Sequence, residues 1–551
     1  MRDTTLAYVN KPPLAGRSFW YWRGLAAASG ALLGLAAAER GLAALAWLAP
    51  AGLFFALLVG GPYGKPLSEW AIRGGAFGFC YYFMALREML MAADNLSLPQ
   101  WQARGLVLLA LLAVCLGLCL IWAAAAWLCG FLRLGQAASL CYWPLAWYLI
   151  EWGLGHLFGG LMPLVCLGTS LAPWPLFCQS GALWGAYGVS ALIAGFGVLL
   201  AGLVLWRSWH YLLLAGLVFA LNLAAGALLM EPQTAAAEAD LVAATSHMDV
   251  SFPERWGGES DEEIFRNLAG QVGAAAQAGA ELILLPETAL PYELSAGEGW
   301  GQRYLQLAMG QRICLVAGGF SQHEGRDYNA LFTVSSGGSL AEVYTKRALV
   351  PFGEHIPLRP LTLAVFPDGF FDNIPMTELA SGGEQGAWAL PLPGGRQVMA
   401  AGIICYDVCF PDYPRRAVRE GAQVLLAASN DVWYADSSVV YQHFNHGVLR
   451  AIEYGRPLIS STNGGISAVI DDYGRVLAQA EPGEMAAAGI SLPQRQTAYA
   501  LFGPYLIWLF LALWLGVCFL GWLWHPMYSD NGARFAQRNK PNYHISSLFH
   551  R

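Results

Sequence analysis

Eight long apolar runs constrain this chain more than any other feature of its sequence. They lie near 25–38, 41–59, 71–91, 105–132, 137–154, 185–206, 209–230 and 500–524. A bilayer core about 30 Å thick takes roughly 20 apolar residues of helix, fewer where flanking side chains reach the interface. All eight read as membrane-spanning helices, although only Glu39-Arg40 divides the first two. The chain is 56% hydrophobic and 13% charged, against about 25% charged in an ordinary soluble domain. The deficit falls on residues 1–230 and 500–524, while residues 231–499 have a globular composition and enough length to bury a core. The expected organisation is a helical membrane domain over 1–230 with about seven spans, a soluble domain over 231–499, a last span over 500–524 and a tail over 525–551.

An even number of spans puts both ends on one side, and Lys and Arg mark that side as cytoplasmic. Arg2, Lys11, Arg17 and Arg23 lie at one end, and Arg534, Arg538, Lys540 and Arg551 at the other. Lys65, Arg73, Arg133 and Arg207 fall beside loops of the same side, with Arg104 the exception opposite. The soluble domain is therefore expected outside the cytoplasm, which in an inner membrane is the periplasm. No small-residue cleavage site follows Arg17 and Arg23, so the N-terminus is expected to remain as anchor. Residues 155–184 hold no Asp, Glu, Lys or Arg; they read either as a re-entrant or interfacial element or as an apolar loop on neighbouring helices. Glu151 interrupts an apolar run. With no cation evident in the spans, a hydrogen bond to a neighbouring helix is expected for it.

The net charge of −7 without a long basic run excludes a nucleic-acid footprint. Eight of the eleven cysteines lie in apolar segments, where cysteine acts as a small buried hydrophobe. Cys314, Cys405 and Cys409 lie in the soluble part, and no CxxC pair or metal spacing occurs, so no disulfide or zinc framework is expected. His443 and His446 share a helix, but with no third ligand nearby a surface or supporting role is expected rather than a metal pair.

Within 231–499, strands are predicted at 281–285, 313–318, 330–335, 398–404, 424–428, 458–461 and 466–470, and helices at 262–278, 413–420 and 438–454. Such alternation predicts an α/β domain. Three motifs carry chemistry: LLPET with Glu287, YTKRALVPFGEHIP with Lys346 and Glu354, and AAGIICYDVCFPDYPRR with Cys405. Cys405 ends an apolar strand with a helix expected after it. There a thiol is presented to substrate, and the N–H of Tyr406 can face an oxyanion. A thiol must lose its proton to attack an acyl carbon; a carboxylate can take that proton, and an ammonium can stabilise thiolate and oxyanion alike.

These motifs, in this order, resemble the nitrilase (carbon–nitrogen hydrolase) superfamily over 240–495. With LWGAYGVSALI, SNDVWYADS, QHFNHGVLRAIEYGRPLI, STNGGISAVID and the apolar runs, nearly the whole chain resembles the apolipoprotein N-acyltransferases of Gram-negative inner membranes. The resemblance implies a polytopic helical membrane domain joined to an αββα sandwich. It also implies Glu287 as general base, Lys346 as oxyanion stabiliser and Cys405 as acyl-accepting nucleophile. Glu354 matches that family's extra acid, and Tyr406 and Asp407 follow the nucleophile as supporting residues. Trp256, Trp433 and Asn463 match substrate-side positions. Asp407 stands where the family usually has Glu, and Ser460 where it often has Arg. Gly464 follows Asn463 where a second polar residue is common, and Leu161–Pro163 replace an FPW. The implied reaction moves a fatty acyl chain from a phospholipid, through a thioester, to the N-terminal amine of a diacylglyceryl-cysteine, with no metal or organic cofactor. Two other readings fit the same motifs: action on a different amine or amide at the membrane, and a non-catalytic membrane partner that keeps the fold.

Overall fold

The computed structural model describes residues 19–538, apart from 62–63, 97, 158–159, 161, 232–238, 252–260, 290–291, 296–298, 357–358, 361, 363–377, 436 and 493–494. Every expected span corresponds to helix: α1 (Phe19–Ala38), α2 (Ala49–Leu58) with a 3-10 turn (Arg40–Trp47) leading into it, α3 (Leu67–Leu86), α4 (Gln100–Phe131) and α5 (Gln136–His156). After a short α6 (Pro175–Cys178) come α7 (Gly181–Trp206) and α8 (His210–Leu229). Among the described residues five helical segments are long and apolar enough to cross a membrane: Arg40–Leu58, Gln100–Phe131, Gly181–Trp206, His210–Leu229 and Ala498–Leu523. Their outward faces are apolar, with Leu109, Leu120, Leu213, Leu228 and Trp508 exposed. A contiguous surface of this kind needs lipid or a partner to cover it. Inside the bundle small residues let backbones approach, as membrane helices require. A Cβ at Gly30 would lie 2.2 Å from the Phe77 carbonyl oxygen, and one at Gly34 2.5 Å from that of Tyr81.

Glu151 is buried and acts as an acceptor. It takes hydrogen bonds from Trp147 Nε1 at 2.8 Å and from the Leu167 backbone N–H at 2.9 Å. The acid in α5 thereby holds the segment expected to be re-entrant or loop. Residues 163–172 of that segment are buried and include a 3-10 turn at Leu167–Leu171 packed beside α7.

The soluble part is built from β1 (Leu241–Met248), α9 (Asp261–Gln277), β2 (Leu282–Leu284), α10 (Gly299–Gln311), β3 (Cys314–His323), β4 (Arg326–Ser335), β5 (Leu340–Thr345), β6 (Trp388–Pro391) and β7 (Gln397–Ile404). There follow α11 (Arg415–Arg419), β8 (Val424–Asn430), α12 (Ser438–Tyr454), β9 (Leu458–Asn463), β10 (Ala468–Ile470), β11 (Val476–Gln479) and β12 (Met485–Ile490), before the final helix α13 (Ala498–Arg538). Strand order runs β5-β4-β3-β2-β1-β9-β8-β7-β6, with β12 on β1 and the β10–β11 hairpin on β9. The two halves join where His247 and Met248 of β1 pair in parallel with Thr462 and Asn463 of β9. The strands β2, β8 and β9 pair in parallel and are buried along their length, which is why they read as unbroken apolar runs.

The halves face each other across a core that includes Leu284, Val316, Leu331, Leu390, Leu426 and Val469. Helices α9 and α10 cover the outer face of one half through Ile264, Leu268 and Tyr304. Helix α12 covers the other, and its core merges with that of the membrane helices, linking Leu425, Leu449 and Ile452 to Tyr148 and Tyr187. This is the αββα sandwich, with one outer layer shared with the membrane region. Ser437 caps α12 by accepting from Val439 N–H at 3.2 Å, and Gly455 ends it in the left-handed conformation. Along α12, residues three or four apart meet the membrane region. Ser438 N–H donates to Glu88, Gln442 Nε2 to the Ala85 carbonyl at 2.8 Å, His446 Nε2 lies 2.9 Å from the Leu164 carbonyl, and Glu453 accepts from Ala186 N–H at 2.7 Å.

Two expectations need correction. The chain after Cys405 forms a 3-10 turn (Cys405–Cys409) rather than a helix, and the helix expected at 413–420 is only the five residues of α11. Pro411 keeps the turn from continuing as a helix and Pro414 delays the start of α11, while Gly421, at φ +104°, follows its end.

Candidate active site

Glu287, Lys346 and Cys405 come from three strand ends and meet in one buried place. Glu287 follows β2, Lys346 follows β5 and Cys405 follows β7; their exposures are 5%, 1% and 6%. Lys346 Nζ donates to Glu287 Oε1 at 3.0 Å and to Glu354 Oε1 at 2.7 Å. Glu354 Oε2 is held by the Val350 N–H at 2.8 Å, which fixes the PFGE loop on the lysine. Asn329 on β4 donates to Glu287 Oε1 at 2.6 Å. The loop bearing Glu287 approaches β3 so closely that Gly318 is needed there: a Cβ would stand 2.5 Å from Thr288 N.

Cys405 has φ +49°. A non-glycine residue in the left-handed region costs about 1 kcal/mol or more and recurs at functional turns. The side chain of Cys405 is buried where the charges of Glu287 and Lys346 both act on its thiol. Burial, and then the Glu287 charge, push that thiol well above its ordinary pKa, against the opposing pull of Lys346. Glu287 is also raised, first by burial and further by Glu354, although Lys346 opposes this. Burial lowers Lys346, but the surrounding negative groups outweigh it and hold the ammonium charged. The resting arrangement is a neutral thiol beside a carboxylate of raised basicity and a fixed cation. It can move a proton from sulfur to carboxylate and stabilise a new negative oxygen nearby.

The supporting residues are placed as follows. Asp407 is 1% exposed and accepts from the N–H groups of Ile404 (3.1 Å), Arg347 (3.2 Å) and Ala348 (2.6 Å) and from Tyr344 Oη (2.9 Å). It thereby ties the nucleophile turn to the chain carrying Lys346. Tyr406 directs its ring edge-on to Phe410, with centroids 5.4 Å apart. Trp433 lies in a half-buried 3-10 turn directly after Asp431. Asn463 uses its amide within the fold, bonding Val250 N–H and carbonyl at 3.0 Å each and Asn430 at 3.1 Å. Trp256 lies outside the described residues.

His443 and His446 are buried, not on the surface. His443 Nδ1 lies 3.2 Å from Asp431 Oδ2. His446 instead faces the Leu164 carbonyl, while His443 joins a different group: donor atoms of Cys405, Asp431 and His443 lie within 4.8 Å of one another. The three line a small cavity with Ser429, Ser460 and Thr462. Burial lowers the His443 imidazole, but Asp431 outweighs it and raises its pKa. Sequence reasoning missed Asn329, Asp431 and Tyr344 as site neighbours, while the supporting alternative offered for His443 fits its place beside Asp431. The Asn-Asp pair at the end of β8 was the available signal, because buried polar residues in succession need partners.

The carbon–nitrogen hydrolase model matches residues 239–499. The model of the apolipoprotein N-acyltransferase N-terminal domain matches residues 29–199. Apolipoprotein N-acyltransferase of Allorhizobium ampelinum is 31% identical over 476 residues, 80% of this chain and 86% of that protein. Its namesake in Azotobacter vinelandii is 30% identical over 529 residues, 92% of this chain and 95% of that protein. The crystal structure of the C. elegans NitFhit protein aligns with 49% of this chain and 64% of that one, at 21% identity and a TM-score of 0.35. With both halves of the chain matched and relatives of this identity spanning most of its length, the chain belongs to the apolipoprotein N-acyltransferase family, multi-pass membrane N-acyltransferases of the nitrilase superfamily.

Proposed function

We propose that this protein transfers a fatty acyl chain from a membrane phospholipid to the N-terminal amine of the diacylglyceryl-cysteine of an apolipoprotein, in two steps through a thioester on Cys405. The observation that carries this reading is the strained Cys405 turn facing the Glu287–Lys346–Glu354 ion network. In the first step Cys405 Sγ bonds to the ester carbonyl carbon and its proton passes to Glu287. Lys346 and the Tyr406 N–H hold the tetrahedral oxyanion. The carbon–oxygen bond then breaks, and the leaving oxygen takes the proton from Glu287 as a lysophospholipid departs. In the second step the amine nitrogen attacks the thioester and gives a proton to Glu287. The carbon–sulfur bond breaks, and that proton returns to Sγ. Each transfer needs a base stronger than an ordinary carboxylate, and the raised pKa of Glu287 supports that role. The Lys and Arg bias of the chain supports an extracytoplasmic catalytic domain with both termini in the cytoplasm.

The test is intact-protein mass after incubation with phospholipid. Wild-type protein is expected to gain one acyl group, and folded Cys405→Ala none. Equal labelling of the Ala variant would remove Cys405 as the nucleophile. Addition of a diacylglyceryl-cysteine peptide should discharge the acyl group onto the peptide amine, whereas discharge only to water would identify a hydrolase.

A further inference from the structure

The membrane helix α7 and the domain helix α12 meet at a point from which a short path leads to the nucleophile turn. Helix α7 is broken at Gly185, whose φ of 74° and ψ of 178° depart from the helix. The helix restarts at Ala186, with a leading N–H that its own helix cannot satisfy. Glu453 Oε1 accepts that N–H at 2.7 Å. Room for the break is tight as well, since a Cβ on Gly185 would stand 2.4 Å from the Tyr499 ring. Glu453 Oε2 lies 2.6 Å from Arg450 Nε, and both side chains are 0% exposed. Arg450 Nη1 donates to the Val408 carbonyl at 3.1 Å, and Val408 lies within the Cys405–Cys409 turn.

We propose that Arg450 and Glu453 are positioning residues that tie the geometry of the Cys405 turn to the break in membrane helix α7, so that acyl transfer to Cys405 depends on how the catalytic domain is docked. The inference rests on the reading of Cys405 as the acyl-accepting nucleophile. A pair that served stability alone could end on any polar groups. This pair ends on the N–H that directly follows the break at Gly185 and on a carbonyl of the turn that the chain enters at Cys405 with positive φ. The charges are shielded from water, so their geometry is stiff and a displacement at one end is felt at the other. A second contact between the two regions, Gln179 Nε2 to the Tyr473 carbonyl at 2.8 Å, involves neither α7's break nor the nucleophile turn, and it serves as a control.

The experiment uses full-length protein in lipid nanodiscs and measures single-turnover acylation of Cys405 against donor concentration. Glu453→Gln keeps an acceptor for Ala186 but removes the charge opposite Arg450, and Gly185→Ala disturbs the break from the membrane side. Both are expected to lower the maximal acylation rate at least about tenfold, as displacements of about 1 Å remote from the chemistry do. The half-saturating donor concentration is expected to stay unchanged, and Gln179→Leu is expected to lose thermal stability alone. Folded Glu453→Gln or Gly185→Ala protein that acylates at the wild-type rate overturns the proposal. Absence of acylation in wild type would instead overturn the nucleophile assignment beneath it. Coupling is reciprocal, so a second measurement needs no variant. Acylating Cys405 in wild-type protein should change amide hydrogen exchange in the segment starting at Ala186, and unchanged exchange there also overturns the proposal.

Discussion

Lys346 is one ammonium facing two carboxylates in a place almost closed to water. Removing it leaves Glu287 and Glu354 facing each other, and one of them must then take up a proton to remain buried. Folded Lys346→Met protein is therefore expected to form thioester about 10²–10³-fold more slowly, the usual loss for one oxyanion donor. Breaking a buried ion pair should also lower its stability by about 3–5 kcal/mol. Single-turnover acylation on the folded fraction is the decisive measurement, and a near-wild-type rate would reduce Lys346 to a structural role. Asp407 gives a pH signature. Burial pushes its pKa up to about 6, against the Ala348 N–H and the Lys346 charge. A carboxyl that holds its proton more tightly folded than unfolded adds stability at low pH. That contribution is full below about pH 4 and lost as pH rises through about 6, on the order of 3 kcal/mol in all. The thermal midpoint of wild type minus that of Asp407→Asn should thus shrink between pH 4 and 6.5; a difference that grows would contradict the assignment. Glu287, Lys346 and Cys405 were legible as candidates because each sits in a dense motif, and Glu287 and Cys405 also follow apolar runs. Asn329 was not, because it sits mid-strand in β4 and meets Glu287 only once β4 has paired with β3.

The same contrast holds for whole elements. The strands β2, β3, β4, β7, β8, β9 and β10 carry compact apolar runs, and each lies close to its expected place. The strands β5, β6, β11 and β12 are partly exposed, so no buried apolar run marks them. They form because a neighbour supplies half of their hydrogen bonds, a cause that lies elsewhere in the chain. Helix α12 was legible from its 3.6-residue period, but the period alone assigned its polar stripe to solvent or support. Gln442, His446 and Glu453 are buried instead, because they face backbone groups of the membrane region, and Arg450 is buried between Glu453 and the Val408 carbonyl. An amphipathic pattern reports that a helix has two faces, and it leaves open which partner a polar face has. Residues 155–184 had two readings for a related reason. Glu151, bonded to Leu167 N–H, and His446, facing the Leu164 carbonyl, hold this uncharged stretch in place, and neither contact can be read from its composition.

On the scale of the molecule, orientation in the membrane is the open variable that the charge bias addresses. The hairpin between β3 and β4 turns at Glu324 and Gly325, both with positive φ, and residues 322–327 are exposed. Exposed turn tips tolerate insertions, so a reporter domain placed there should leave the fold intact. A reporter that works only in the periplasm is expected to be active at that site, and activity of one that works only in the cytoplasm would reverse the topology. The shared core carries a last consequence. Families of this kind are easily pictured as a soluble catalyst on a leash, but here the anchor is part of the catalyst's own interior. Residues 239–499 expressed alone would bare the α12 stripe and the apolar side chains around Leu449 and Ile452 that now share a core with Tyr148 and Tyr187. Such a fragment is expected to sediment as aggregate or to demand detergent, and a monodisperse, folded fragment in plain buffer would refute this. A shed, freely diffusing form of this enzyme is thus closed off by its architecture, and any traffic in substrate has to come to the bilayer.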